Sequence, residues 1–133
     1  MCSSNLPVNL NNRVAPLEMH ADEFRKVGYQ LVDQIAEFLD GLPQRPVTSD
    51  ESPQKIRELL GTDQLPEHGS PAGDLFNEVA DLLFNHSLFN GHPRFWGYIT
   101  SSAAPIGALA DFLASSVNPN VGAAKLSPIA SEI

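Results

Sequence analysis

The most constraining feature of the chain is an apolar stripe near its start. Phe24, Val27, Leu31, Ile35, Phe38 and Leu42 recur in steps of three and four, the spacing that lines one face of an α-helix. The pattern predicts one continuous helix over residues 22–42, stopped by Gly41 and Pro43. Val32 and Leu39 widen the stripe, so the helix is expected to touch more than one neighbour. A face this broad must be covered by something. Residues 1–21 are polar and aperiodic and are read as a flexible tail.

Further helices are announced by their start signals. Ser52-Pro53 places a capping side chain before a proline suited to the first turn, and Gly61 closes a short helix carrying Ile56, Leu59 and Leu60. A third helix is expected to carry Leu75, Val79, Leu82 and Leu83 on one face. Asn90-Gly91 marks a turn, and Phe95-Trp96-Gly97-Tyr98-Ile99 reads as a short strand or extended segment. Pro105 opens a fourth helix with Ile106, Leu109, Leu113 and Val117 on one face, broken by Asn118-Pro119-Asn120. Ser127-Pro128 repeats the cap-and-proline signal just before the last residue, Ile133. So short a helix cannot repay its nucleation cost alone; the reading is a chain cut inside a helix.

With 133 residues, 42% of them hydrophobic, the chain suits one modest domain. Its formal net charge of −8 and scattered basic residues argue against a nucleic-acid partner. No run approaches the roughly 18 apolar residues of a membrane span, and no secretory signal opens the chain, so a cytoplasmic protein is expected. The sequon Asn85-His86-Ser87 is then read as chance. One cysteine, Cys2, excludes an internal disulfide.

Signals of site chemistry are sparse. His20, His68, His86 and His92 lack metal-ligand spacing, and no metal is expected. There is no Gly-rich phosphate loop, and Ser87, Ser101 and Ser127 lack a nucleophile-elbow context. Lys125, between Ala124 and Leu126, is read as a solvent-facing lysine rather than a Schiff-base former. From residue 92 onward the chain is rich in aromatics, then small residues, then a Gly/Asn/Pro corner at 118–122. That pattern fits either a pocket wall or a core element with a tight turn, and composition leaves both open.

The ordered residues His92-Pro93-Arg94-Phe95-Trp96-Gly97-Tyr98-Ile99-Thr100-Ser101-Ser102, then Leu109-Ala110-Asp111-Phe112-Leu113, Asn118-Pro119-Asn120-Val121-Gly122 and Leu126-Ser127-Pro128-Ile129-Ala130-Ser131-Glu132, resemble the group II pyridoxal-phosphate-dependent decarboxylases, most of all the aromatic-L-amino-acid branch. Glu23-Phe24-Arg25 through Val32-Asp33 is similar to that family's first helix. The resemblance is strong over the last forty-odd residues and loose between Pro43 and Pro71.

The resemblance implies a mainly α fragment: a helical arm over residues 22–90 that packs on a partner subunit, then the beginning of an aspartate-aminotransferase-like α/β large domain over 91–133. It implies a homodimeric lyase that uses pyridoxal 5'-phosphate to turn an aromatic L-amino acid into an amine and CO2. The Schiff-base lysine and most cofactor contacts are expected downstream, leaving the fragment inactive alone. By the same resemblance Tyr98 is a substrate-binding tyrosine, with Ser101 (or Thr100, one residue earlier) beside it. Asn120 and Gly122 fall where the family reaches into the neighbouring subunit's pocket. Animal aromatic decarboxylases carry apolar residues at those two positions and an aromatic at Ile99, and these departures weigh against a bulky catechol or indole substrate. The alternative is a non-catalytic helical interaction module that kept the arm for pairing.

Overall fold

A computed structural model describes residues 18–61 and 67–132 of the chain. Among these residues five α-helices follow in order: α1 (Ala21–Gly41), α2 (Pro53–Leu60), α3 (Ala72–His86), α4 (Pro105–Val117) and α5 (Pro128–Glu132), with a 3-10 turn at Leu42–Gln44 after α1. Most of the expected tail, residues 1–17, lies outside the described residues, as do 62–66 and the last residue.

The end signals act unequally. Asp22 and Glu23 fall in the first turn of α1, where negative charge suits the helix dipole. Gly41 was expected to help stop α1, yet its φ of −77° is ordinary right-handed backbone. Pro43 makes the stop: it lacks the N–H that the next helical bond requires, and the chain tightens into the 3-10 turn instead. At α2 the reading holds in full. Ser52 Oγ accepts from the Lys55 N–H at 3.2 Å, Pro53 opens the helix, and Gly61 ends it at φ 71°. Asn118 caps α4 in the left-handed region, its N–H bonded to the Ala114 carbonyl at 2.8 Å.

Helices α1 and α3 pack side by side and run in the same direction, because their facing residues advance together. A side chain at Gly73 would meet Val27 at 4.0 Å. Further along, Asn77 Oδ1 accepts from Gln30 Nε2 at 2.7 Å and from Gln34 Nε2 at 2.8 Å. At the far end the Phe38 and Phe84 rings stack with centroids 4.5 Å apart, and Phe89 tilts against Phe38 at 5.2 Å. A parallel pair needs a long return path, and the connection containing α2 provides it.

The α3 face used differs from the expected one. Gly73, Asn77, Ala80 and Phe84 lie on a single helical stripe, and Ala80 is among the few buried residues. Leu75, Val79 and Leu83 of the expected face are exposed, and Leu82 is half-buried. Residues 95–99, read as a short strand or an extended segment, form no strand: the chain is irregular there and bends at Tyr98 and Ile99, and no strand occurs among the described residues. The α1 stripe is left partly open: Phe24 is 51% exposed, and Leu31, Ile35 and Phe38 are only half-buried. Its uncovered side forms an apolar groove of about 600 Å³, floored by Phe24, Val32, Ile35 and Leu39 and edged by Leu109 and Phe112 of α4. Phe112 reaches it by stacking on Phe24 at 6.2 Å. Among the described residues no helix is long and apolar enough to cross a membrane.

Candidate functional site

Of the residues singled out by sequence, Tyr98, Thr100 and Ser101 fall on a loop, 91–102, whose two ends meet. A side chain at Gly91 would sit 3.4 Å from Ser102 Cβ and 3.6 Å from Leu42 Cδ2, so the base of the loop rests beside the end of α1. Closed surface loops of this size are often functional.

The base is tied down by His92, which is 3% exposed and the buried polar residue of the described chain. Its N–H donates to the Phe89 carbonyl at 3.0 Å, and its carbonyl accepts from the Phe95 N–H at 2.9 Å. Its Nδ1 accepts from the Arg94 N–H at 3.0 Å. That bond needs a lone pair on Nδ1, so Nε2 carries the hydrogen and donates to the Arg45 carbonyl at 3.0 Å. Arg94 Nη2 reaches the same carbonyl at 3.2 Å.

Arg45 is a hub that sequence reading missed. Its guanidinium donates to the Phe84 carbonyl at 2.8 Å and to Asn85 Oδ1 at 3.2 Å, satisfying a carbonyl of the last α3 turn. It also lies over the Phe38 ring at 5.3 Å from the centroid. Nothing local marks it: it stands in a proline-containing linker, and its partners lie about forty positions on. Nearby, His86 Nδ1 donates to Glu51 Oε2 at 2.5 Å and Ser49 Oγ to the same oxygen at 3.0 Å. The His86 hydrogen bond, then that from Ser49, holds the Glu51 carboxyl below its usual range.

Beyond residue 95 the loop changes character. Phe95 is half-buried, and a side chain at Gly97 would press on its ring at 3.3 Å. Any larger residue at 97 would have to push the phenyl aside by a few tenths of an ångström. The next residue, Tyr98, has φ 56°, a left-handed conformation that costs a residue with a Cβ roughly 1–2 kcal/mol. Its ring sits 6.3 Å from that of Phe95. Trp96, Tyr98 and Ile99 are 92%, 85% and 106% exposed, and Thr100 and Ser101 are exposed as well. The structure therefore brings Tyr98, Thr100 and Ser101 onto one projecting tip.

Asn120 and Gly122 lie apart from this tip in sequence and bond to each other: Asn120 Oδ1 accepts from the Gly122 N–H at 2.9 Å. A side chain at Gly122 would meet that oxygen at 3.0 Å and would have to displace the exposed Asn120 side chain. Both are exposed, as is Lys125.

These residues do not compose a cradle for pyridoxal phosphate. Tyr98, Thr100, Ser101, Asn120, Gly122 and Lys125 all face outward, and the groove on α1 is lined by apolar side chains, which offer a phosphate no partners. Among the described residues, no three His, Cys, Asp or Glu gather as a metal site.

No family model matches the chain. Individual relatives do. The chain is 33% identical over 102 residues, 77% of its length, to an aromatic-L-amino-acid decarboxylase of Bacillus atrophaeus, covering 21% of that protein. It is 34% identical over 119 residues, 88% of its length, to a tyrosine decarboxylase of Oryza sativa subsp. japonica, covering 22%. A histidine decarboxylase of Drosophila melanogaster is 29% identical over 100 residues, 75% of the chain and 12% of the relative. All three relatives are amino-acid decarboxylases. Over most of its length the chain is thus related to the group II pyridoxal-phosphate-dependent decarboxylases, as residues 92–102 implied. It spans about a fifth of the length of the bacterial and plant relatives.

Proposed function

We propose that the chain is the N-terminal part of a pyridoxal-phosphate-dependent decarboxylase that converts an aromatic L-amino acid to an amine and CO2 in the cytoplasm. The observation that carries this reading is the loop 91–102. It holds a strained, outward-facing Tyr98 at the position where the family resemblance puts a substrate-contacting tyrosine. A projecting tip with no pocket of its own is suited to closing a pocket built by other parts of a longer protein. Tyr98 would pack on the substrate there, and Ser101 or Thr100 would offer it a hydroxyl. The cofactor, its lysine and its phosphate contacts would belong to the rest of that protein, and the chain alone would be inactive.

The helices take the second role. The open side of the α1 stripe supports a homodimer in which α1 and its neighbours lie against the partner subunit, burying the groove. Asn120 and Gly122 would then reach towards the partner's pocket. Their exposure leaves them free for it.

The test is expression of the whole open reading frame that carries this chain. Amine formation from a panel of aromatic and other L-amino acids, with pyridoxal phosphate supplied, is the expected result. A dimer that binds through α1 but forms no amine from any amino acid would sink the decarboxylase reading and leave a non-catalytic interaction module.

A further inference from the structure

We infer that His92 is a positioning residue: its imidazole sets the orientation of the loop tip that presents Tyr98. The argument starts from where the loop's hydrogen bonds lie. Among the described residues no hydrogen bond involves residues 96–101, whereas residues 92–95 are bound to one another and to Arg45 and Phe89. A segment without hydrogen bonds of its own has little local stability, so the bonds that can order it are those at its base. Here the base is the imidazole.

Each ring nitrogen fixes a different partner. Nδ1 holds the Arg94 N–H at 3.0 Å and so shapes the first turn of the loop. Nε2 holds the Arg45 carbonyl at 3.0 Å and so fastens that turn to the connection leaving α1. The Arg45 side chain in turn grips the end of α3 through the Phe84 carbonyl. His92 thus references the tip to both long helices. A side chain that merely filled the space would supply neither bond, leaving the Arg94 N–H without its partner and the Arg45 carbonyl held by the Arg94 guanidinium alone, which would loosen the turn. Phe95 and Gly97 then carry the fixed direction forward to Tyr98, through the close approach of backbone to ring.

The molecule contains its own reporter, because Trp96 at the tip is the one tryptophan of the chain. Time-resolved fluorescence anisotropy of Trp96 in the whole chain should show restricted motion. His92→Ala should release it, and trypsin should cut after Arg94 roughly tenfold faster, since cleavage follows the population of the opened loop. His92→Asn keeps an acceptor in the place of Nδ1 and His92→Gln a donor in the place of Nε2; each should lie between wild type and His92→Ala. His92→Leu keeps bulk without bonds and should be as loose as His92→Ala. Far-ultraviolet circular dichroism should be unchanged throughout.

Three results would overturn the assignment: a freely moving Trp96 in the wild-type chain, full order in His92→Leu, or loss of helix in the Asn and Gln variants. What Tyr98 touches rests on the decarboxylase reading, but this order does not. If the longer protein makes no amine while the anisotropy series holds, the decarboxylase reading fails and the role of His92 stands. If amine is made and the series fails, the reverse is true.

Discussion

At the residue scale, three non-glycine residues among those described have positive φ: Asp50, Tyr98 and Asn118. Asp and Asn visit that region with little strain because a short polar side chain can bond locally. Asn118 also closes α4. Tyr98 has no such excuse, and backbone strain of this kind gathers at functional sites. Within the proposed decarboxylase, Tyr98→Phe should keep the ring, the cofactor and the dimer while lowering kcat roughly tenfold to a hundredfold, about 1.4–2.7 kcal/mol. Steady-state amine formation beside the cofactor spectrum measures it; an unchanged kcat removes the hydroxyl from the site. A second residue-scale prediction concerns Glu51. Its carboxyl is held below the ordinary 4.5 by hydrogen bonds from His86 and Ser49. A depressed folded value means that the stabilisation is present above the unfolded value and lost as pH falls through the folded one. Acidification below pH 4.5 should therefore free the connection from α3. The protection of the Phe89 amide, bonded to the Val47 carbonyl at 2.9 Å, against exchange relative to an unstructured amide at the same pH should fall there, and Glu51→Gln should abolish that acid step.

At the element scale, the informative comparison lies within α3, between neighbours Leu83 and Phe84. Periodicity put Leu83 on the expected face, but Phe84 makes the contact with α1. Phe84→Ala should cost the chain about 2–3 kcal/mol, somewhat below the range for a fully buried phenylalanine because the ring is only half-buried. Leu83→Ala, at an exposed site, should stay within about 0.5 kcal/mol. Urea unfolding followed by circular dichroism separates the two; equal costs would restore the expected face. Ala80→Leu should also destabilise, by about 1–3 kcal/mol, because the close approach of α1 and α3 leaves no room for a larger side chain.

At the scale of the whole molecule, the described chain covers few of its own apolar residues. Ala80 and Phe89 are its buried hydrophobics, while Val32, Leu113, Val117 and many others remain exposed. A surface of this kind signals association. Val32 lies on the groove side of α1, away from the Gln30 and Gln34 contacts with α3. Val32→Glu should therefore weaken the proposed dimer roughly tenfold or more by placing a charge in its apolar seam, with helix content unchanged. Sedimentation of the longer protein over a concentration series would detect it. In the chain alone, borohydride should trap pyridoxal phosphate at Lys125 no more readily than at the other exposed lysines, Lys26 and Lys55.

The sequence by itself determined several of the helix ends, because a cap, a proline or a left-handed glycine acts within a turn of its own position. Ser52-Pro53, Gly61 and Pro105 each took their expected places. It also made Tyr98, Thr100 and Ser101 stand out, through a resemblance carried by neighbouring residues. Only the tertiary structure decided which face of α3 meets α1, that the two run parallel, and that His92 and Arg45 hold the loop. α3 carries apolar residues on more than one face, so periodicity alone could not rank them, and the choice fell to the stripe of Gly73, Asn77, Ala80 and Phe84 that lets two helices approach. The bonds from the Arg45 side chain to Phe84 and from the His92 ring to the Arg45 carbonyl span some forty to fifty positions, a distance over which no local rule of sequence reaches.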